Sequence, residues 1–241
     1  MYTIYVKIYR LYMLLCGLTV RPTVSYLRYM ETFQPFYQVY IVVDDNSYAV
    51  PSTTVTILQI PNQECEEQGF KRTVLHCPLS SRDKALYYFS TIYTDYDYLW
   101  MIEEDVLIPR PATLVRIDSM YKVSDLLCSP LEQYERGKWH WSRIITPLPL
   151  LAHGMICAIR CSKRLLSYLR QYAIQFGTLF MDEAMFPTLA MHARLTIQVP
   201  PELHTVVYSR PWREHDIVWT HLYHPMKDMK LQEHCHKIYA S

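Results

Sequence analysis

Glycine is scarce in this sequence, with five residues in a chain of 241. Loops that cradle phosphate need glycine at fixed offsets, because only a residue without a side chain lets backbone N–H groups close on an anion. Neither a G-x-G-x-x-G nor a G-x-x-x-x-G-K-[ST] run occurs, so any nucleotide must be gripped by other means. Asparagine is scarcer still, and no N-x-[ST] acceptor site is present. Charge of one sign is lacking too: the net charge is +1, which offers no general field for nucleic acid. Long hydrophobic runs are missing. Met1 to Val20 is apolar but interrupted by Lys7 and Arg10, and the uncharged stretch from Leu11 to Val20 falls well short of the ~20 residues of a membrane span. With no small-residue cleavage site, this segment reads as the first core strand, ending at Cys16–Gly17, and no transmembrane span is expected. A Golgi-type signal anchor is the alternative.

The seven cysteines, at 16, 65, 77, 128, 157, 161 and 235, are odd in number and contain no C-x-x-C pair. They imply reduced thiols and a cytoplasmic setting. Half of the residues are apolar and a fifth are charged, so the chain folds rather than remaining disordered. Its length suits one large domain or two small lobes sharing a core, and no repeat, low-complexity tract or Gly/Ser linker divides it. Tyrosine is abundant, at 21 residues. Its flat face and hydroxyl suit sugar-binding surfaces as well as half-buried packing.

Apolar runs alternate with helical stretches. "IYRLYMLLCG", "YQVYIVVDDNS", "TTVTILQIP" and "YDYLWMIEEDVLIP" read as strands, the third from its β-branched residues. "RPTVSYLRYMETF" reads as a helix starting near Pro22, and "SRDKALYYFSTIY" as one capped by Ser80 or Ser81. Beyond residue 110, "SDLLCSP", "HGMICAIRC", "LTIQVP" and "LHTVVYS" read as strands, and "SKRLLSYLRQYAIQF" as a helix capped by Ser162. "MDEAMFPTLAMHA" is helical in pattern, with Pro187 expected to break or kink it. The tail from Pro211 shows little periodicity and reads as loop that can fold back over a site. The strand–helix–strand order predicts an α/β fold with a mostly parallel central sheet flanked by helices. Such sheets bind ligands outside the carboxyl ends of their strands, where Gly17, Asp44–Asp45 and Glu103–Asp105 would gather.

"YDYLWMIEEDVLIP" drives a core strand into Glu103, Glu104 and Asp105. Buried carboxylates are costly unless a cation meets them. On an extended segment Glu103 and Asp105 point to one side and Glu104 to the other. Two same-side carboxylates form a clamp for a hard divalent cation, Mn²⁺ or Mg²⁺, which can neutralise a diphosphate leaving group. The plainer alternative is a solvated strand end paired with Arg110 or Arg116.

In these features the chain resembles nucleotide-sugar-dependent glycosyltransferases of the GT-A type, whose DXD motif ends the core strand of the nucleotide-binding half. Here the triplet is Glu103–Glu104–Asp105, with Glu in the first place. "VVDDNS" is similar to the family's second-strand end, "CGLTVRP" to its first-strand loop, "SRDKA" to the helix before the triplet, "LFMDEAMFPTL" to the acidic segment near the acceptor, and "LYHPMK" to a C-terminal metal-binding His followed by Lys. In size and wording the chain is similar to compact glycosyltransferase-like proteins of algae, plants and large algal viruses, over about residues 9–230. The resemblance implies a GT-A-like (Rossmann-like) single domain over 1–241, with a nucleotide-sugar half at about 9–109 and an acceptor half at about 110–230. It implies a nucleotide-sugar donor, most simply a UDP-sugar, and a glycan or glycoconjugate acceptor. Glu103, Asp105 and His224 would hold the metal. Gly17, Arg21, Asp44, Asp45, Arg82, Lys84, Glu104 and Lys227 would face the donor, with Asp44 or Asp45 on the nucleoside.

An inverting transfer needs a carboxylate base on the acceptor hydroxyl, and Glu183 is the leading candidate, with Asp182 the other. Acids at a helix start also suit its dipole with no catalytic role. Trp139 and Trp141 in "KWHWS" form an acceptor wall or a hydrophobic plug, and His153 could face the same cleft. His221, His234, Cys235 and His236 raise a zinc site, but their spacing matches no standard finger. Two other classes stay open: a metal-dependent phosphoryl-transfer enzyme or nuclease using the same acids, and a decayed carbohydrate-binding protein.

Overall fold

The computed structural model describes residues 12–72, 79–133 and 148–239. Its centre is a seven-stranded sheet, order β3-β2-β1-β4-β8-β5-β9. The strands are β1 (Met13–Thr19), β2 (Gln38–Val43), β3 (Thr56–Leu58), β4 (Tyr98–Glu103), β5 (Leu126–Leu127), β8 (Ala158–Ser162) and β9 (Ile197–Gln198). A two-stranded ribbon, β6 (Glu132–Gln133) with β7 (Ala152–His153), lies beside it. β3, β2, β1 and β4 are mutually parallel, while β8 runs antiparallel to β4. The fold is therefore α/β with a mostly parallel sheet.

The middle strands are apolar throughout because both faces are covered. Alternation along them assigns each residue to a layer. Leu14, Cys16, Leu18, Leu99 and Met101 join the core under α3 (Ser81–Tyr87), α5 (Lys163–Phe176) and α6 (Asp182–His192). Leu15, Trp100 and Ile102 join the opposite core, under α1 (Val24–Glu31) and α4 (Pro111–Met120). The remaining α-helices among the described residues are α2 (Asn62–Glu67) and α7 (Met229–Tyr239).

Local signals fixed the helix starts. Thr23 caps α1 and Ser162 caps α5 through their hydroxyls. The backbone N–H and hydroxyl of Ser80 both donate to Asp83, at 2.8 and 2.9 Å, ahead of α3. Four expectations need correction. β1 runs on to Thr19, so Gly17 lies inside the strand rather than at its end. Of the break or kink expected at Pro187, the break does not occur: α6 runs continuously from Asp182 to His192. "LHTVVYS" forms no strand; only Val206 makes an isolated bridge, with His224. The tail holds a helix, α7, because Leu231, Cys235 and Tyr239 at four-residue spacing join a third small core. Among the described residues no helix is long and apolar enough to cross a membrane. Their six cysteines are all buried free thiols; Cys77 lies outside the described residues.

Beneath α4 lies a buried ionic knot. Asp118 accepts from Arg160 at 2.6 Å, Tyr37 at 2.6 Å and Trp100 at 3.1 Å. Arg160 is fully buried. Asp118→Ala would strand that guanidinium, so we expect a loss of about 3–5 kcal/mol of stability, read from a denaturant melt. A loss below 1 kcal/mol would show that the backbone carbonyls of Tyr121 and Ser124 suffice for Arg160.

Candidate active site

β1 leads to β2 and β3 on one side, and β4 pairs on its other side, so the strand order reverses between β1 and β4. In open α/β sheets the crevice at such a point is where ligands bind. Three adjoining hollows open along this rim. The central one, of about 940 Å³, is lined by Arg72, Arg82, Glu103, Asp105, Glu183 and His224, among others. A second, of about 550 Å³, lies at the end of β1 and shares Glu103, Asp105 and Lys227 with the first. A third, of about 380 Å³, runs past β7 and shares Glu183, Met155 and Tyr208.

The acid triplet does not continue as a strand. The Val106 N–H donates to the Glu103 carbonyl at 3.0 Å, turning the chain at Glu104–Asp105. This corrects the extended geometry expected from sequence, although Glu103 and Asp105 still face the central hollow. Glu104 accepts from the Thr19 hydroxyl and lines the hollow at the β1 end. Burial pushes its carboxyl above the ordinary range, with the charges of Asp105 and Glu103 adding to the effect.

The tail completes the rim. Leu107 and Tyr223 exchange backbone hydrogen bonds, and the Met226 N–H donates to the Asp105 carbonyl at 2.7 Å. His224 is thereby set 3.5 Å from Asp105 through Nε2. Its Nδ1 lies 2.7 Å from the Val207 carbonyl, which can only accept, so Nδ1 carries the proton and Nε2 is turned to the hollow. Burial opposes the imidazolium, yet the Asp105 carboxylate outweighs it and raises the His224 pKa. For Asp105, burial opposes ionisation, but the His224 hydrogen bond and charge hold its pKa below the ordinary value.

The donor atoms of Glu103, Cys157 and His224 lie within 4.8 Å of one another. Asp105 stands beside His224 but outside this group of three, so the rim offers two carboxylates, an oriented imidazole and a thiol, oxygen, nitrogen and sulfur groups of the kinds that ligate divalent cations. Cys157 completes the cluster as a thiol: burial pushes its pKa far up, and the neighbouring Glu103 carboxylate adds to this.

Buried cations set the opposite wall. Arg82 donates to Glu103 at 2.6 Å and to Asp182 at 3.0 Å, and Arg72 donates to Asp182 at 2.9 Å. Burial opposes ionisation of Asp182, but Arg82 and Arg72 bring its pKa below the ordinary value. Its neighbour behaves oppositely. Burial pushes the Glu183 carboxyl up to about 7, and the charge of Asp182 contributes. Glu183 lines both the central and the β7-side hollow, and none of the described hydrogen bonds or ion pairs engages its carboxylate. The geometry thus separates the two acids: Asp182 anchors arginines, whereas the Glu183 carboxyl faces the hollows.

Pro187 contributes to this placement. A proline cannot donate to the carbonyl four residues earlier, that of Glu183. The Gly154 N–H donates to it instead, at 3.1 Å, tying α6 to β7. A Cβ at Gly154 would lie 2.8 Å from Leu131 and 2.9 Å from the Pro130 carbonyl, so only glycine fits. Pro187→Ala supplies a competing N–H. We expect faster hydrogen exchange at the Gly154 amide without a lower melting temperature. Unchanged exchange would show that the Gly154 bond holds without the proline.

Several expected donor residues have other partners. Lys84 is fully buried, donating to the Asp44 carbonyl at 2.6 Å and lying 3.2 Å from its carboxylate. It braces the β2 end and lines none of the three hollows. Arg21 and two bonds from Ser47 engage Asp45; the Ser47 hydroxyl, its N–H and then Arg21 lower the Asp45 pKa to about 2. Neither Asp44 nor Asp45 lines the three hollows, whereas Arg21 lines the one at the β1 end. Gly17 makes room for packing: a Cβ there would meet the Tyr26 hydroxyl at 2.2 Å. His153 lines the β7-side hollow, 3.6 Å from Glu132. Trp139 and Trp141 lie outside the described residues. The "HCH" run does not converge: His234 faces Glu214 at 3.2 Å, Cys235 is buried, and His236 stacks on Tyr29. Sequence reasoning missed Arg72, Cys157 and Tyr208. Nothing local marks the first two, but an exposed aromatic beside Glu183 matches the sugar-facing use of tyrosine raised above. Compared with models of known protein families and with curated protein sequences, the chain matches none.

Proposed function

We propose that the chain is a glycosyltransferase of the GT-A type, moving a sugar from a nucleotide-diphosphate sugar to an acceptor hydroxyl with inversion. One observation carries the reading. At the β1/β4 crevice, Glu103, Asp105 and His224, side chains of the kinds that ligate a divalent cation, line one hollow with Glu183, a carboxyl whose pKa of about 7 suits a general base. The imidazole favours Mn²⁺ over Mg²⁺. When bound, the cation supplies charge neutralisation for the departing diphosphate.

The chain's own residues do the rest. The donor extends from the β1-end hollow, past Arg21, into the central one. Lys227, which lines both, meets the diphosphate. The acceptor enters from the β7 side, past His153 and Tyr208. Glu183 takes the acceptor hydroxyl proton as that oxygen bonds to the anomeric carbon, and the bond to the diphosphate oxygen breaks with its electron pair leaving on the nucleotide. Arg82 and Arg72 hold Asp182, and with it the start of α6, in register with Glu103.

The test is a panel of nucleotide sugars with Mn²⁺, scored for donor hydrolysis and thermal stabilisation. A ligand at ~100 times its dissociation constant adds ~2.7 kcal/mol, well within reach of a melting curve. A panel in which no nucleotide sugar stabilises or is turned over sinks the reading.

A further inference from the structure

We propose that a second hollow, on the face built by α1, α4 and α7, binds an amphipathic anion: an apolar chain ended by a carboxylate or phosphate. The sequence builds this hollow by helical spacing. Ser25, Arg28 and Tyr29 share one face of α1, with Thr32 at its C-terminal cap, and Glu233, His236 and Lys237 share one face of α7. Between them the start of α4 contributes Pro111 and Ala112, preceded by Pro109 and Arg110. The space measures about 670 Å³, within the usual range for small-ligand sites. None of the residues around it lines the three hollows of the candidate active site.

The walls are apolar and flat: Tyr29, Phe36, Pro109, Pro111 and Tyr239. The Tyr29 hydroxyl is spent on the Ile108 carbonyl. The His236 ring stacks on Tyr29 at 3.4 Å and 7°. Burial lowers the His236 pKa to about 4, so this wall is neutral near pH 7. An apolar body therefore meets no charge along it. Phe36, at 51% exposure, is left uncovered at the edge.

The charged groups all but agree in sign. Arg28, Arg110 and Lys237 come from three separate segments, against one acid, Glu233. Arg110 is held in place, its guanidinium 3.6 Å from the Trp219 ring centroid. An anionic head at the rim complements these cations, and an alkyl tail fills the apolar interior. A neutral apolar ligand would bring nothing to the positive rim, and a small inorganic anion would leave the walls wet.

The experiment is calorimetric titration of the whole chain with decanoate and decyl phosphate below their micelle concentrations, with decanol and inorganic phosphate as further arms. We expect one or both anionic amphiphiles to bind, inorganic phosphate not to bind, and decanol to bind at least about tenfold more weakly, the worth of one charged hydrogen bond. The anionic amphiphile that binds identifies the head group. Ala112→Trp, at an exposed position of α4, should fill the hollow and remove binding, and R28E/K237E should weaken it by a similar factor. Melting curves check that both variants fold, and both changes fall on surface positions. Equal affinity for decanol, binding untouched by Ala112→Trp, or no binding of either anionic amphiphile overturns the proposal.

Discussion

Glu183→Gln is expected to lower sugar transfer by ~10²–10⁴-fold while leaving metal-dependent donor binding intact. The amide matches the acid in shape and cannot accept the proton. The carboxyl stands at about 7, raised first by burial and then by Asp182. The wild-type rate should therefore climb with pH through that value, and the residual rate of the variant should not. Stability runs the other way. A carboxyl with an ordinary value of 4.5, raised to about 7 in the fold, holds its proton more tightly folded than unfolded. Its contribution is fully present below the lower value and is lost as pH rises through the upper one. Glu183→Gln does not titrate, so its melting temperature should gain on the wild type between pH 5 and pH 8. Normal transfer by the variant would remove Glu183 from the base role. Loss of donor stabilisation as well would give it a structural part instead.

The features legible in the sequence were those written locally. The apolar runs of β1 and β4 announced central strands because burial on both faces leaves no polar alternation. Ser80 and Ser162 announced helix starts because a cap works within three residues. Glu103, Asp105, Glu183 and His224 could each be picked out singly, and the sheet rule placed the first two on one rim. Partner choice was not legible. Asp182 meets Arg72 across 110 positions, and nothing near either residue encodes the other. Lys84 was expected at the diphosphate because "SRDKA" resembles the family's helix before the acid triplet, but its place on α3 turns it beneath the β2 end, onto the Asp44 carbonyl. The turn at Glu104–Asp105 was hidden too. Neither Gly nor Pro marks it, and it forms where the chain also engages Leu18 and the returning tail at Met226. α7 escaped notice because three spaced apolar residues sit among His, Gln and Lys, where the periodic signal is thin.

Asp105→Ala is expected to abolish the stabilisation that Mn²⁺ and a nucleotide sugar confer together, ~2.7 kcal/mol at ~100 times the dissociation constant in the wild type. The variant should fold, because the tail is stitched to this turn through backbone atoms. The Met226 N–H donates to the Asp105 carbonyl, and Leu107 and Tyr223 pair through main chain, none of which the substitution removes. His224 loses its carboxylate neighbour but keeps the Val207 bond on Nδ1, and its pKa should drop once Asp105 no longer favours the charged ring. A neutral imidazole is tolerated in a partly buried place, so the ligand-free melting point should stay close to the wild type. What goes is one of the two carboxylates that would face the cation; the other, Glu103, is already shared with Arg82 at 2.6 Å. A single carboxylate so engaged, with one imidazole, leaves too little negative charge to hold a divalent ion against a diphosphate. Melting curves with Mn²⁺, with the nucleotide sugar, and with both separate the contributions. Full retention of the joint effect in Asp105→Ala would place the metal elsewhere and leave the acid turn as a strand end facing solvent.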